Sequence, residues 1–595
     1  MLKAFKASPG VLTAVLILCA LGALIYSNTL KAQFQYDDEY NIIKNSNIRD
    51  LSDLRSVWDF WPTRFLTYLS IALNYHFGKL DVSGYHVFNI FVHLACSIMV
   101  WWLTLLIFST PAMKKAPGLK WSRQIAFFTG LLFVAHPLQT EAVTYIIQRC
   151  TSLAALFYLA ALCLFLKSRI LMIEGRGIKT YGPYYAASLF CALASFFTKE
   201  MTITLPFSVL LCECLFLKNE KGVSWKALLP FIFLLSVIPL TFILTKTADW
   251  RSMYRLAEPR PQISPMQYLL TEFRVINTYL RLLFLPVNQN IDYDYPAYKT
   301  MMELPVLLSL TVILSILYSA IRLFRKEKLL SFSIFWFFLT LLPESSIIPI
   351  HDYIFEHRLY LPIAAFSIFL VYAVYLILGR KNNFKPAFIL GLIILAFGSL
   401  TFRRNFIWKD NFSLSSDAIK KSPDKARPYT GRGAAYAKQG EYKLALADYD
   451  KGLMLYYKQL GITADYNGIY NEILASGSGY PGIFNFLSVK YAEINLFKTA
   501  ITVASIAVKI DPSNSDAFAL LCSFYGNIKK YQEAVNTGRE AVSLGPDSAL
   551  AHYNLAVALF FNGQSAEAAL ELARSRDLGM EPDPGFIRIM KQKPM

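Results

Sequence analysis

The chain has 595 residues, of which 55% are hydrophobic and 17% charged, and its mean hydropathy is +0.38. Soluble proteins carry roughly a quarter charged residues, so this composition excludes an ordinary soluble enzyme and points to the membrane class. The net charge of +18 is read as membrane topology and not as nucleic-acid binding, because much of the excess lies in short loops between apolar blocks.

Eleven apolar blocks of about bilayer length predict spans at 11–30, 86–109, 124–140, 142–166, 182–198, 201–217, 227–245, 303–321, 329–349, 357–378 and 386–402. Lys3 and Lys6 precede the first, but its apolar run is long for a signal peptide and no small-residue cleavage site follows. That span is expected to be retained. Alternate loops carry the basic residues: Lys114, Lys115, Lys120 and Arg123, then Lys167, Arg169, Arg176 and Lys179, then Lys218, Lys221 and Lys226. Arg322, Arg325, Lys326 and Lys328, and finally Arg380, Lys381 and Lys385, continue the alternation. The positive-inside rule makes these loops cytoplasmic. The N-terminus is then inside, while loops 31–85 and 246–302 and everything after 402 are outside. The eight cysteines lie mostly within apolar blocks, and Cys212 and Cys214 lack a partner pair for a zinc site.

Polar residues near the spans gather on the outer side. His76, His86, His93, His136, His351 and His357 map there, with Glu141, Arg149, Lys199, Glu200, Glu344, Asp352, Glu356 and Arg358. Ionisable groups near the bilayer are expensive and usually line a cavity or pathway, so a polar cavity is expected beneath the two long loops. Within the second loop, Ser264-Pro265 reads as an N-cap with proline at the first helical position. Met266, Leu269, Leu270, Phe273, Ile276, Leu280, Leu283 and Phe284 follow as an apolar stripe, with Arg274 and Arg281 toward the polar side. This reads as a helix lying in the membrane interface. A shorter one is expected around 50–62, with Trp58, Phe60 and Trp61.

After Trp408 the composition becomes that of a soluble helical domain with a 34-residue period. Ala500, Ala507 and Pro512 recur as Ala534, Ala541 and Pro546. Gly433, Tyr436, Ala445 and Tyr449 fit an earlier repeat, and Leu555, Ala556 and Ala568 a later one; a less regular stretch, about 454–481, separates the first from the rest. Three to four tetratricopeptide repeats are expected, of the kind that binds peptides or proteins.

Several strings in the membrane part carry a family resemblance. They are Tyr36-Asp37-Asp38-Glu39, Arg64-Phe65-Leu66-Thr67, Asn74-Tyr75, and Gly84-Tyr85-His86 with Asn89 and His93. His136-Pro137 with Thr140-Glu141-Ala142-Val143 and Arg149, then Lys199-Glu200, Asp292-Tyr293 and Arg358-Leu359-Tyr360-Leu361-Pro362 complete the set. Together they resemble the transmembrane-and-tetratricopeptide-repeat O-mannosyltransferases and their bacterial relatives, of the GT-C glycosyltransferase fold. Phe65 departs from the pattern, since relatives commonly have proline there, and the repeat domain is short. The resemblance implies an all-α chain: a polytopic GT-C-like domain over 1–410, then an extracytoplasmic repeat solenoid over 411–595. It also implies a polyprenyl-phosphate sugar donor, an active site in the outer cavity, and an acidic motif that lands on Asp37 and Asp38; the modest size and short repeat domain point to a bacterial inner membrane.

Sugar transfer from a lipid phosphate needs a base for the acceptor hydroxyl and cations for the leaving phosphate. Asp37 or Asp38 is expected as the base, the other orienting it or binding a cation, with inversion at the sugar carbon. Glu39, His86, His136, Glu141, Arg149, Glu200 and Glu356 are further candidates to line the substrate site. Arg64, Lys199, Arg281 and Arg358 are the phosphate candidates. His86, His93 and His136 are the residues that could hold a divalent cation. Expected partners are the lipid-linked sugar, membrane lipid, a protein or glycan acceptor, and proteins bound by the repeats, with no nucleic acid. The competing readings are a membrane-anchored scaffold and a lipid-substrate transporter; no GxxxxGK[ST] loop is present for nucleotide-driven transport.

Overall fold

A computed structural model describes residues 9–217, 222–245, 263–350, 352–379, 384–461, 471 and 479–592. Lys3, Lys6, Lys218, Lys221, His351, Arg380 and Lys381, singled out above, lie outside them. Every regular element among the described residues is helical, and they form two compact units that divide between Lys421 and Ser422.

The first unit begins with α1 (Pro9–Tyr26), α2 (Leu54–Phe60), α3 (Phe65–Gly78) and α4 (Val82–Phe108). It continues with α5 (Ser122–Ala135), α6 (Thr140–Thr144), α7 (Arg149–Ile173), α8 (Ile178–Phe196), α9 (Leu205–Cys212), α10 (Trp225–Leu234) and α11 (Val237–Leu244). The rest is α12 (Pro265–Phe284), α13 (Leu304–Leu323), α14 (Lys328–Leu341), α15 (Pro362–Leu378), α16 (Phe384–Ile407) and α17 (Asn411–Lys421).

Among the described residues, seven stretches are long and apolar enough to cross a membrane: Gly10–Thr29, Val82–Phe108, Ile146–Ile173, Glu200–Leu217, Trp225–Leu244, Leu304–Leu323 and Phe384–Ile407. The chain is a multi-pass membrane protein. The other four expected spans fall on α5, α8, α14 and α15, with 14, 19, 14 and 17 residues. At 1.5 Å per residue a 14-residue helix reaches about 21 Å, short of the roughly 30 Å hydrocarbon core. Pro137 sets one of these ends: the preceding His136 is extended, with φ −70° and ψ 127°, as a residue before proline prefers. The expected spans 124–140 and 142–166 are therefore parted by a buried connection, His136–Gln148, that carries Glu141.

The short helices still run between the same two ends of the bundle. Ile147 N donates to Asp38 at 2.8 Å, Arg64 pairs with Glu200 at 3.0 Å, and Lys199 with Glu344 at 2.8 Å. Helices α5, α8 and α14 thus return the chain to the end that α4, α7 and α13 leave.

Among the described residues the second unit has four helix pairs: α18 (Ala426–Lys438) with α19 (Tyr442–Leu460), α20 (Gly479–Glu493) with α21 (Phe497–Ile510), α22 (Ser515–Asn527) with α23 (Tyr531–Leu544), and α24 (Ala549–Phe561) with α25 (Ser565–Asp577). A last helix, α26 (Pro584–Gln592), follows. The small residues of the period are where paired helices meet: Ala500, Ala507, Ala534 and Ala541 are fully buried. A Cβ on Gly433 would sit 3.2 Å from the Ala445 carbonyl oxygen, which explains glycine there. This is a tetratricopeptide-repeat architecture. The irregular stretch 454–481 starts inside α19 and then lies almost entirely outside the described residues.

Candidate active site

The segment after α1 turns sharply at Tyr36, whose φ of 39° is the left-handed region, held in a non-glycine residue at about 1–3 kcal/mol. The turn sends the two neighbouring aspartates apart. Asp38 is fully buried and accepts backbone N–H groups of Gln35 at 3.0 Å and Ile147 at 2.8 Å. Burial pushes its carboxyl up to about 8 against those two bonds. Asp37 is exposed, and its N–H donates to the Tyr145 hydroxyl at 2.8 Å. Asp38 therefore bolts the loop to the residues just before α7, and Asp37 is the carboxylate left exposed. Replacing Asp38 with alanine strands two buried N–H donors, so we expect about 2–4 kcal/mol lower stability in denaturant titrations.

Around His357 the bundle end assembles a dense polar group. Glu141 accepts the His357 ring at 2.7 Å and the N–H groups of Glu356 at 2.9 Å and His357 at 3.2 Å. Burial, then the Lys199 cation, hold His357 well below the usual range, while Glu344 and Asp37 oppose them. Nδ1 is the ring nitrogen that meets Glu141, and burial disfavours the charged imidazolium. Glu356 accepts Gln289 Nε2 at 2.6 Å, Asn290 N at 2.7 Å and Tyr293 Oη at 2.7 Å. Arg358 donates to the carbonyls of Tyr353 and Asp352, each at 2.7 Å. Glu272 lies 3.8 Å from Arg358, and burial pushes its carboxyl up to about 7.

Lys199 pairs with Glu344 and donates to Thr151 at 2.9 Å. Burial, the largest single influence, would raise Glu344; Lys199, Arg358 and His357 together outweigh it and hold the carboxyl near 2. The stabilisation from this group is therefore present above the unfolded-state value of about 4.3 and lost as pH falls toward 2. We expect the melting temperature to drop between about pH 5 and 2.5, and to drop less over that range in Glu344→Gln.

The remaining sequence candidates divide clearly. Arg64 forms a two-pronged pair with Glu200, at 3.1 and 3.0 Å, lies over Trp61, and stays partly exposed at 27%. Arg149 is fully buried and donates to Asn89, Ser70 O and Tyr85 O at 2.7, 3.1 and 3.0 Å. His86 donates to Ala32 O at 2.9 Å and His136 to Leu283 O at 3.1 Å, both within the fold. Glu39 is exposed and pairs with Lys44 at 2.9 Å. Arg281 is exposed and bonds Val287 O at 3.3 Å. Among the described residues the structure brings neither Glu39 nor Arg281 into bonded contact with the group around His357. Among those residues, too, no three or more His, Cys, Asp or Glu side chains are arranged to hold a metal ion.

The reason for Arg281 lies in how α12 is turned. Its buried side carries Tyr268, Thr271, Glu272, Val275, Ile276 and Tyr279, while Met266 and Phe284 of the expected apolar stripe are more than half exposed. Tyr268 donates to Glu344 O at 3.1 Å and Tyr279 to Phe355 O at 2.9 Å. The helix begins as expected, with a Ser264–Gln267 capping box, but its polar residues face the site.

A protein O-mannosyl-transferase of Caenorhabditis elegans is 26% identical over 468 residues, covering 74% of this chain and 62% of its own. Protein O-mannosyl-transferase TMTC3 of Homo sapiens is 22% identical over 581 residues, covering 88% and 59%. Protein O-mannosyl-transferase TMTC2 of Homo sapiens is 32% identical over a shorter 204 residues, covering 32% of this chain and 23% of its own. The chain is similar to protein O-mannosyl-transferases. It spans about three-fifths of the length of the first two. No protein-family model matches it. The solved repeat protein YrrB, described as having an unusual peptide-binding site, matches at 18% identity over 35% of this chain and 91% of its own, with a TM-score of 0.19.

Several residues of the group were not legible as site residues. Tyr145 was hidden in an apolar block and Gln289 among uncharged neighbours, while Tyr293 stood out only through the string Asp292-Tyr293. Arg404, whose cation opposes the rise of both Glu141 and Glu356, reads beside Arg403 as an ordinary span end. Lys421 donates to Gln289 O at 2.6 Å from a helix that reads as soluble.

Proposed function

We propose that this protein is an integral-membrane glycosyltransferase that moves a sugar from a polyprenyl-phosphate carrier to an acceptor hydroxyl. Its similarity to protein O-mannosyl-transferases makes mannose the first sugar to test and a serine or threonine of a protein the first acceptor. The observation that carries the reading is the exposed Asp37 carboxylate, whose backbone is held by Tyr145, with Lys199 and Arg358 supplying positive charge beside Glu344 and Glu272.

In the proposed reaction Asp37 takes the proton of the acceptor hydroxyl as its oxygen attacks the anomeric carbon. The bond from that carbon to the phosphate oxygen breaks, and polyprenyl phosphate leaves with the electron pair. Attack opposite the leaving group inverts the anomeric centre. Lys199 and Arg358 provide a positive field for the phosphate; Arg64, partly exposed and able to make a two-pronged contact, is the candidate for direct contact. Neutral His357, aimed by Glu141, offers Nε2 to a sugar or acceptor hydroxyl.

The reading includes eleven passes, with loops 31–85 and 246–302 and the repeats on the outer face of a bacterial cytoplasmic membrane. Protease access to the repeats in sealed vesicles tests that orientation. The activity is tested by reconstituting the protein with labelled polyprenyl-phosphate mannose and a serine- and threonine-bearing peptide. Label is expected in the peptide. A folded preparation that moves no lipid-linked sugar favours the scaffold reading instead.

A further inference from the structure

The turn that carries His357 and Arg358 is held from a direction the reaction itself does not require. Both oxygens of Glu356 are clamped by consecutive residues: Gln289 Nε2 donates to one at 2.6 Å and Asn290 N to the other at 2.7 Å. Asn288, just before them, has a φ of 58°, which turns the chain so that Gln289 and Asn290 meet one carboxylate together. Gln289 is buried and also donates to Pro137 O at 3.0 Å, in the connection that bears Glu141. Its own carbonyl accepts the Lys421 ammonium at 2.6 Å. Lys421 in turn pairs with Asp417 at 2.7 Å, and Asp417 with Arg404 of α16 at 2.5 Å.

A continuous path of charge-assisted bonds therefore runs from α17 through Gln289 to Glu356, and from Glu356 N to Glu141 at 2.9 Å. Such bonds are short and about twice as strong as neutral ones, and each link here has few competitors because the groups are largely buried. Lys421 is the last residue of the first unit. We propose that Lys421 is a positioning residue: through Gln289 it fixes the turn Glu356–Leu359 that presents His357 and Arg358. The kinetic consequence rests on the function proposed above; the positional one does not.

The test uses the full chain in micelles with three variants. Lys421→Met removes the cation, Lys421→Arg keeps it, and Gln289→Leu cuts the middle link while leaving α17 and its ion pairs intact. Amide exchange of Glu356 and His357, followed by mass spectrometry, is expected to speed up about tenfold in Lys421→Met and Gln289→Leu, the effect of losing one charge-assisted bond. Lys421→Arg is expected to stay near the native rate. In the transfer assay Lys421→Met should lower kcat about tenfold with KM little changed, since the charges are displaced and not removed. Unchanged exchange in a folded Lys421→Met overturns the proposal, whatever Gln289→Leu does. Should Lys421→Met fail to fold, Gln289→Leu decides alone. If the native protein transfers no sugar while exchange responds as expected, the proposed function fails and the positioning role stands.

Discussion

Replacing Asp37 with asparagine is expected to reduce kcat for sugar transfer by about 100- to 10,000-fold, the range for losing a general base. KM for the lipid-linked donor and the melting temperature should barely change. The expectation follows from where the turn at Tyr36 puts the two aspartates. Asp37 is exposed, with its backbone N–H held by the Tyr145 hydroxyl. Asparagine preserves that backbone bond and the side-chain shape and removes only the capacity to take a proton. Asp38 cannot substitute, because it is fully buried and both its oxygens accept backbone N–H groups. Steady-state rates and thermal melts on the same preparations check both halves of the expectation.

The second large effect is on the fold. Arg149→Met should destabilise the protein by about 3–5 kcal/mol, by removing three charge-assisted bonds whose acceptors remain buried. That is a large fraction of the roughly 5–15 kcal/mol that holds a typical domain. Arg149 ties α7 to the carbonyls of Ser70 and Tyr85 and to the Asn89 amide, and its guanidinium lies 4.4 Å from the Phe88 ring centroid. Lysine should rescue little, because it keeps the charge but not the planar fork that reaches several acceptors at once. Yield of folded protein and unfolding midpoint in denaturant check this. An unaffected midpoint with lost activity would return Arg149 to the substrate candidates.

The multi-pass character was legible because apolar runs are long, a signal that survives without any tertiary information. Helix ends were less so. Residues 136–148 read as the tail of one span and the start of another, because burial against protein selects the same apolar side chains as burial in lipid. The proline at 137 was the available signal that the helix stops. The ionisable residues of the site stood out against their apolar surroundings, so Glu141, Lys199, Glu356 and Arg358 could be named from sequence. Their partners could not, since a hydrogen bond from Gln289 or Tyr293 leaves no pattern along the chain. Asp37 and Asp38 were inseparable for the same kind of reason: one positive φ at Tyr36 decides which is buried. The stripe on α12 showed part of the packed side, since Leu270, Ile276 and Leu283 are buried and Arg274 and Arg281 exposed, but period alone could not show that Tyr268, Glu272 and Tyr279 are buried beside them.

The most direct test of Asp37 as the transferring base is chemical rescue of Asp37→Ala in the reconstituted assay. The truncated side chain leaves an open position at an exposed site, so added formate can enter and take the acceptor proton. The expected result is transfer reduced at least about 100-fold in Asp37→Ala, rising with formate concentration, while native protein shows no such response. Transfer by Asp37→Ala at the native rate, without formate, would contradict the account.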